Sequence, residues 1–386
     1  MVYILGGART PNGSFLGEMS QIPAPKLGAH AIAGALERSG VSKDAVDEVF
    51  MGQVVSAGSG QAPARQAALG AGLCESVPCT TINKVCGSGM KTIIVGAQSI
   101  ACEDNQVVVA GGMESMSMAP HLLPHSRRGI KFGESSFRDS VQWDGLWDVY
   151  SDRPMGACAE ECASKYAITR EEQDEFAIES FKRAQKALNE GVFDDEIVPV
   201  PLKTRKGETR LCEKDEGPFK AKFDKIPLLP PVFGKDGTIT AANASTLNDG
   251  ACALVVAGES HKGLAKFKIL AHAGHAQNPT WFTTAPIECL KKLFAKTSLK
   301  PSDVDLFEIN EAFSCVVLAA MKEFELNPSK VNIYGGGVSL GHPIGQSGTR
   351  IVLTLMNALT RTKGRLGVAT LCIGGGEALA LLIERV

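Results

Sequence analysis

Val107-Val108-Val109-Ala110-Gly111-Gly112-Met113-Glu114 and Gly367-Val368-Ala369-Thr370-Leu371-Cys372-Ile373-Gly374-Gly375-Gly376-Glu377 follow one pattern, an apolar run that ends in glycines and a glutamate. Each run reads as a buried strand closed by a glycine turn. Working outward, Ser88-Gly89-Met90-Lys91 and Ser347-Gly348-Thr349-Arg350 each open a stretch whose apolar residues recur at helical spacing. Further upstream, Asp44-Ala45-Val46-Asp47-Glu48-Val49-Phe50-Met51-Gly52 parallels Ser302-Asp303-Val304-Asp305-Leu306-Phe307-Glu308-Ile309-Asn310, each a polar lead into a short apolar run. The three matches keep their order and an offset of about 260 residues. Each copy therefore reads strand, helix, strand, glycine turn. Strands written as continuous apolar runs and alternating with helices imply an α/β fold whose sheets are covered on both faces.

Between the copies, residues 118–247 are denser in Pro, Lys and charge, and read as an inserted loop region. One clear helix runs from Thr169 to Asn189, with Thr169 and Glu172 as a capping box and Gly191 just beyond the end. Lys225-Ile226-Pro227-Leu228-Leu229-Pro230-Pro231 is excluded as a central strand by its prolines. The expected division is an N-terminal half of residues 1–117 with 248–265, a loop domain of 118–247, and a C-terminal half of 266–386. The 386-residue length suits two to three units at roughly 150 residues each.

Composition narrows the function classes. With 40 basic and 42 acidic residues the net charge is −2, so no broad field attracts nucleic acid or anionic lipid. No apolar run approaches the roughly 20 residues of a membrane helix. Eleven cysteines, an odd number, argue against a disulfide framework and for a reducing compartment. Neither Cys74 with Cys79 nor Cys158 with Cys162 is backed by further ligands at zinc spacing, so no metal is expected. The expected location is the cytoplasm, with the mitochondrial matrix open if a leader has been removed.

Four positions carry candidate chemistry on residue type and setting. Cys86, in Asn83-Lys84-Val85-Cys86-Gly87-Ser88-Gly89, stands just before a helix N-terminus, whose unpaired N–H groups favour a thiolate. Taken alone it reads rather as a small buried hydrophobe, as most free cysteines are, and the other motifs reverse that reading. His342 lies in Gly335-Gly336-Gly337-Val338-Ser339-Leu340-Gly341-His342-Pro343, ahead of the second copy's helix, where the repeat register brings it opposite Cys86. A Cys–His pair is a nucleophile and its base. Cys372 ends the last apolar strand beside Gly374, where a second thiol can exchange protons and glycine N–H groups can meet an oxyanion. Asn310 puts an amide where the first copy has plain Gly52, a break in symmetry that a single active site on a doubled scaffold requires and that a turn Asn also explains.

Val85-Cys86-Gly87-Ser88-Gly89, Asn310-Glu311-Ala312-Phe313, Gly341-His342-Pro343 and Cys372-Ile373-Gly374, with Gly7-Ala8-Arg9-Thr10-Pro11 near the start, together resemble the thiolase family over essentially the whole chain. The resemblance implies a five-layered α/β/α/β/α fold of two similar halves with an inserted loop domain. It implies acetyl-CoA C-acetyltransferase activity, with Cys86 carrying the acetyl group, His342 activating it and Cys372 the second acid/base. Asn310 would hold a water at the enolate, and the N–H groups of Cys86 and Gly374 would bind the tetrahedral oxyanion. Acetyl-CoA, acetoacetyl-CoA and coenzyme A would be substrates or products, with no separate cofactor.

The pantetheine would lie along Ala241 to Gly250, touching Ala241, Ser245 and Leu247, with Phe233, Leu146, Met155, Ala312, Phe313 and Phe282 as further pocket positions. For its phosphates, Pro218 stands where relatives carry a basic residue, leaving Lys220, Lys222 or Lys225. Residues 116–145 resemble the loop through which biosynthetic members form tetramers, which implies a homotetramer. Pro154 instead is similar to degradative 3-ketoacyl-CoA thiolases of broader chain length, and Phe282 to members that accept 2-methyl-branched substrates. The rival of another class is a thiolase-like acyl-CoA binding protein without turnover.

Overall fold

A computed structural model gives the fold and describes residues 1–203 and 207–386. The first half runs β1 (Tyr3–Arg9), α1 (Ala24–Ser39), β2 (Glu48–Gly52), α2 (Pro63–Gly70), β3 (Cys79–Ile82), α3 (Ser88–Ala101) and β4 (Val107–Ser115). The loop region contributes α4 (Met155–Lys165) and α5 (Arg170–Asn189), after which β5 (Asn248–Ala257) returns to the first sheet. The second half runs β6 (Phe267–Ala276), α6 (Ala285–Thr297), β7 (Leu306–Ile309), α7 (Ser314–Phe324), α8 (Ile344–Thr362), β8 (Leu366–Ile373) and β9 (Glu377–Arg385).

Strand order displays the duplication. One half reads β3-β2-β4-β5-β1 and the other β7-β8-β9-β6, and β1 meets β6 through two antiparallel pairs, Tyr3 with Lys268 and Ile4 with Phe267. In each half the β2-like strand lies parallel to its β4-like neighbour; in the first half β2 is also parallel to β3, and the remaining pairs run antiparallel. The counterpart of β3 has shrunk to a single parallel bridge between Phe307 and Val331.

The alternation along β4 explains the layers. Val107 and Val109 join Leu27 and Ile32 of α1 in one outer core, while Val108 and Ala110 join Ile93 of α3 and Ile351 of α8 in a central core. Leu371 and Ile373 of β8 close that central core from the second sheet, and Val368 on its other face packs with Leu290 of α6 and Val317 of α7. The order is therefore helices, sheet, α3 with α8, sheet, helices: five layers. Each fully buried Leu or Ile contributes about 1.5–3 kcal/mol relative to exposure, so the doubly covered sheets hold the seam between halves rigid.

The pseudo-twofold axis passes where α3 meets α8. A Cβ on Gly89 would stand 2.8 Å from the Thr349 nitrogen, and one on Gly348 would stand 2.4 Å from the Met90 nitrogen. Gly89 and Gly348 are the residues that the repeat register pairs, and equivalent residues touch each other only at such an axis. The expected helix start at Ser347 lies in fact at Ile344, because Pro343 sets the backbone for the first turn.

The loop region is more ordered than its composition suggested. The capping box of α5 is formed, Thr169 Oγ1 accepting from the Glu172 N–H at 3.1 Å and Glu172 Oε2 accepting from the Thr169 N–H at 2.7 Å. Residues 223–228 form a short 3₁₀ stretch. The sequence reading missed α4, a short helix whose buried face, with Cys158 and Cys162 one turn apart, is too small to show a period. A fully buried Arg9 ties this region to β1, with Nε on Glu196 at 2.8 Å and Nη1 on Asp215 at 2.7 Å.

Candidate active site

The turn between β3 and α3 carries Cys86. Val85, just before it, is held at φ 46°, a conformation that costs a side-chain-bearing residue about 1–3 kcal/mol. Local bonds enforce it: the Val85 N–H donates to Asn83 Oδ1 at 3.0 Å, the Lys84 N–H to Ser88 Oγ at 2.8 Å, and Ser88 Oγ to the Val85 carbonyl at 2.7 Å. Gly87 caps α3, so Cys86 sits one residue outside the helix end. Burial pushes its thiol up to about 11, while the backbone N–H groups of Gly374 and of Cys86 itself act in the opposite sense. At neutral pH the sulfur keeps its proton and needs a base.

His342 comes from the second half. Gly341 before it has φ 96°, and a Cβ there would lie 2.3 Å from the Asn248 amide, so only glycine fits. The His342 N–H in turn donates to Asn248 Oδ1 at 3.1 Å. Ser347 Oγ gives its one proton to the Pro343 carbonyl at 2.9 Å, so at its 2.5 Å contact with His342 Nδ1 it accepts. The proton is thereby fixed on Nδ1 and the Nε2 lone pair faces the site. Burial first, and Arg350 second, push the imidazole down to about 4, so it is neutral and ready to accept.

Asn310 and Cys372 stand one step deeper. Asn310, 1% exposed, brings Nδ2 to 3.5 Å from His342 Nε2, and its Oδ1 has no hydrogen-bond partner among the described residues. Cys372 is fully buried with Met155, Phe282 and Ala312, and its thiol is pushed well up by burial and then by the nearby Cys86. Glu311, beside Asn310, is structural. Its carboxylate accepts from Ser180 Oγ at 2.7 Å, Asn332 Nδ2 at 2.9 Å and the Val338 N–H at 3.1 Å, which ties α5 and the loop leading to His342 to the end of β7.

These elements enclose one cavity of about 290 Å³. Cys86, His342 and Gly374 line its floor, Leu146, Met155 and Phe282 its walls, and Phe233, Ser245, Leu247, Ala312 and Phe313 the remainder. The rings of Phe233 and Phe282 each meet Phe313 edge-on, with centroids 6.3 Å apart. Asn310 and Cys372 are not on the lining; they back it. Ala241 is exposed and outside this lining, at the outer side of a turn between the buried Thr240 and Asn243, after which Ala244 bridges to Phe313. Sequence reasoning passed over Ser347, which fixes the imidazole tautomer; its position one turn beyond a His–Pro helix start was the available signal. It also passed over Thr246, Gly156 and Gln142 in the lining.

Comparisons with known proteins give the family and agree with the fold. Residues 2–260 match the model of the thiolase N-terminal domain, and residues 262–385 match that of the thiolase C-terminal domain. The chain belongs to the thiolase family. It is 51% identical to acetyl-CoA acetyltransferase 2 of Arabidopsis thaliana over 99% of this chain and 96% of that protein. It is 48% identical to the mitochondrial acetyl-CoA acetyltransferase of Rattus norvegicus over 100% of this chain and 91% of that protein. Among solved structures, the Acat5 thiolase from Ascaris suum in complex with coenzyme A superposes with a TM-score of 0.94 at 44% identity, covering 100% of both chains.

Proposed function

We propose that this thiolase is an acetyl-CoA C-acetyltransferase, joining two acetyl-CoA into acetoacetyl-CoA and coenzyme A and running the reverse thiolysis. The observation that carries this reading is the single cavity onto which Cys86, His342 and the Gly374 N–H converge, with Cys372 directly behind. His342 Nε2 takes the Cys86 proton as the sulfur attacks the thioester carbonyl, and the N–H groups of Cys86 and Gly374 receive the oxyanion. His342 hands that proton to the departing sulfur, so coenzyme A leaves as the thiol and acetyl-Cys86 remains. Cys372 then gives its thiol proton to His342 Nε2 and, as the thiolate, takes a methyl proton from a second acetyl-CoA. The protonated Nε2 and a water held on Asn310 Oδ1 steady the enolate, the carbanion attacks acetyl-Cys86, and Cys86 leaves acetoacetyl-CoA with its proton returned from His342. Ping-pong kinetics follow.

Coenzyme A is bound as substrate along Ser245 and Leu247, with Phe233 against the pantetheine. For its phosphates Lys222 and Lys225 are better placed than Lys220, whose Nζ is engaged by Ser14 Oγ at 2.7 Å and Glu216 at 3.1 Å. A homotetramer is proposed on the loop of residues 116–145, where Ile130, Phe132 and Phe137 stand exposed. No helix among the described residues is long and apolar enough to cross a membrane.

The test is mass spectrometry after mixing with acetyl-CoA: the protein gains one acetyl group and Cys86→Ala gains none. A parent that stays unmodified would sink the enzyme reading in favour of a binding protein. A second reading, a degradative thiolase of broader chain length, is favoured by Pro154, which lines the cavity. Thiolysis of a 3-ketoacyl-CoA of about ten carbons that outruns acetoacetyl-CoA about tenfold decides for it. Phe282 supports acceptance of 2-methylacetoacetyl-CoA; equal rates on that substrate in Phe282→Met and the parent remove this support.

A further inference from the structure

Glu114 closes the glycine motif of the first half and Glu377 that of the second, and each reaches across the seam. The fully buried Glu114 carboxylate accepts from the Val54 N–H at 3.0 Å and the Val55 N–H at 3.2 Å, in the loop after β2. It also accepts from the Gly345 N–H at 2.9 Å, in the first turn of α8, three residues beyond His342. Among the described residues no Lys or Arg pairs with it; its charge is met by these N–H groups and a helix N-terminus. Strand β4 grips the same turn from below, since a Cβ on Gly112 would stand 1.9 Å from the Gly345 carbonyl oxygen. In the other direction Glu377, at the start of β9, forms an ion pair with Lys84. Lys84 directly precedes Val85, the residue held at φ 46° ahead of Cys86.

We propose that Glu114 and Glu377 are paired positioning residues, each half bracing the other's catalytic turn so that His342 and Cys86 meet at the cavity floor. The proposal rests on the reading of Cys86 as nucleophile and His342 as base. Electrostatics argues that the Glu114 role is geometric. An ionised Glu114 opposes a thiolate at Cys86, and Asp249 faces it with the same sign. If Glu114 acted on Cys86 through its charge alone, removing it would make the sulfur more reactive. If it positions the turn, removing it slows turnover. The two accounts differ in sign.

The experiment measures steady-state condensation in Glu114→Ala, Glu114→Gln, Glu377→Gln, Lys84→Met and the double variant Lys84→Met with Glu377→Gln. Misplacing a reacting group by about 1 Å costs on the order of 100-fold, so Glu114→Ala is expected to lose about that in kcat with KM for acetyl-CoA within about twofold. Glu114→Gln keeps an oxygen for Gly345 and recovers part of the loss. Glu377→Gln and Lys84→Met each lose about tenfold, and the double variant loses no more than either, as expected of one shared contact. A folded Glu114→Ala with the parent's kcat, or one in which kcat and KM fail together, overturns the proposal. So does parental kcat in Glu377→Gln, a partly exposed position that folds in any case and decides the matter if Glu114→Ala does not. If the parent is never acetylated at Cys86, the functional reading itself has failed; if it is acetylated and the variants match it, only the brace has.

Discussion

The two halves share strand order, helix placement and the glycine motif, yet they contribute unequally to the cavity. On the proposed mechanism the first half supplies one reacting atom, the sulfur of Cys86, on a strained turn before α3. The second supplies the imidazole of His342, the amide of Asn310, the thiol of Cys372 and the N–H of Gly374. Where the first half ends β2 at Gly52, packed so closely on α3 that a Cβ would stand 2.8 Å from the Ser88 backbone, the second ends β7 and places Asn310 beside the imidazole. Duplication thus provides two helix N-termini facing each other across an axis, and divergence at strand ends turns a symmetric seam into one site.

The sharpest break of this asymmetry is Cys86→Ala, which abolishes acetylation outright. Next is Cys372→Ala. Acetyl-Cys86 still forms in this variant, because the first half-reaction uses only His342 and the oxyanion donors, while condensation falls on the order of 10²–10⁴-fold. Rapid-quench mass spectrometry beside a condensation assay separates the two steps. Normal condensation in this variant would remove Cys372 from the chemistry and leave the second half contributing the imidazole, the Asn310 amide and the Gly374 N–H.

Much of this contrast was legible in the chain itself. The paired apolar runs at 107–110 and 367–373 announced the duplication because a strand buried on both faces has no polar face to obscure the match. The helices α3 and α8 were legible from spacing, although α8 begins earlier than its partner because a proline cannot be aligned by periodicity. Cys86, His342 and Cys372 stood out through glycine neighbours that mark close backbone approach. Less legible was α4, whose register is set by packing against residues far along the chain. The exposure of Ala241 was equally illegible: it sits in a turn, residues 241–243, that Asn243 closes by accepting from the Thr240 N–H, and nothing local says which of its residues faces out. Ser347 escaped because a helical serine is ordinary until its one proton is seen to be committed to a carbonyl.

The loop region is inserted in the first half alone, and its tie to that half is a buried ion cluster. Arg9 bonds Glu196 through Nε and Asp215 through both terminal nitrogens, at 2.7–2.9 Å, with every partner buried. Arg9→Met strands two carboxylates in the interior and is expected to cost about 3–5 kcal/mol. Urea denaturation checks this, and a loss below about 1 kcal/mol would mean that the loop region is held chiefly by its apolar contacts. Replacing all three charges with apolar residues is expected to restore most of the stability, since the cost lies in the unpaired charges rather than in the missing attraction.

The smallest effect tests the finest difference between the halves, the use each makes of the serine that the repeat shares: Ser88 bonds the Val85 carbonyl, and Ser347 meets His342 Nδ1. Ser347→Ala leaves the His342 Nδ1–H without its acceptor, a loss of about 1–1.5 kcal/mol, or roughly tenfold in the acetylation rate, with KM unchanged. The acid side of the pH profile distinguishes orientation from basicity. His342 is held near 4 by burial and by Arg350, not by Ser347, so it must be deprotonated to act and the acetylation rate falls only as pH drops through that value. In Ser347→Ala the plateau is expected to drop while the acid limb stays in place. A limb that moves upward with an unchanged plateau would mean that Ser347 tunes the imidazole's affinity for the proton, and that the tautomer is fixed by the Asn310 contact alone.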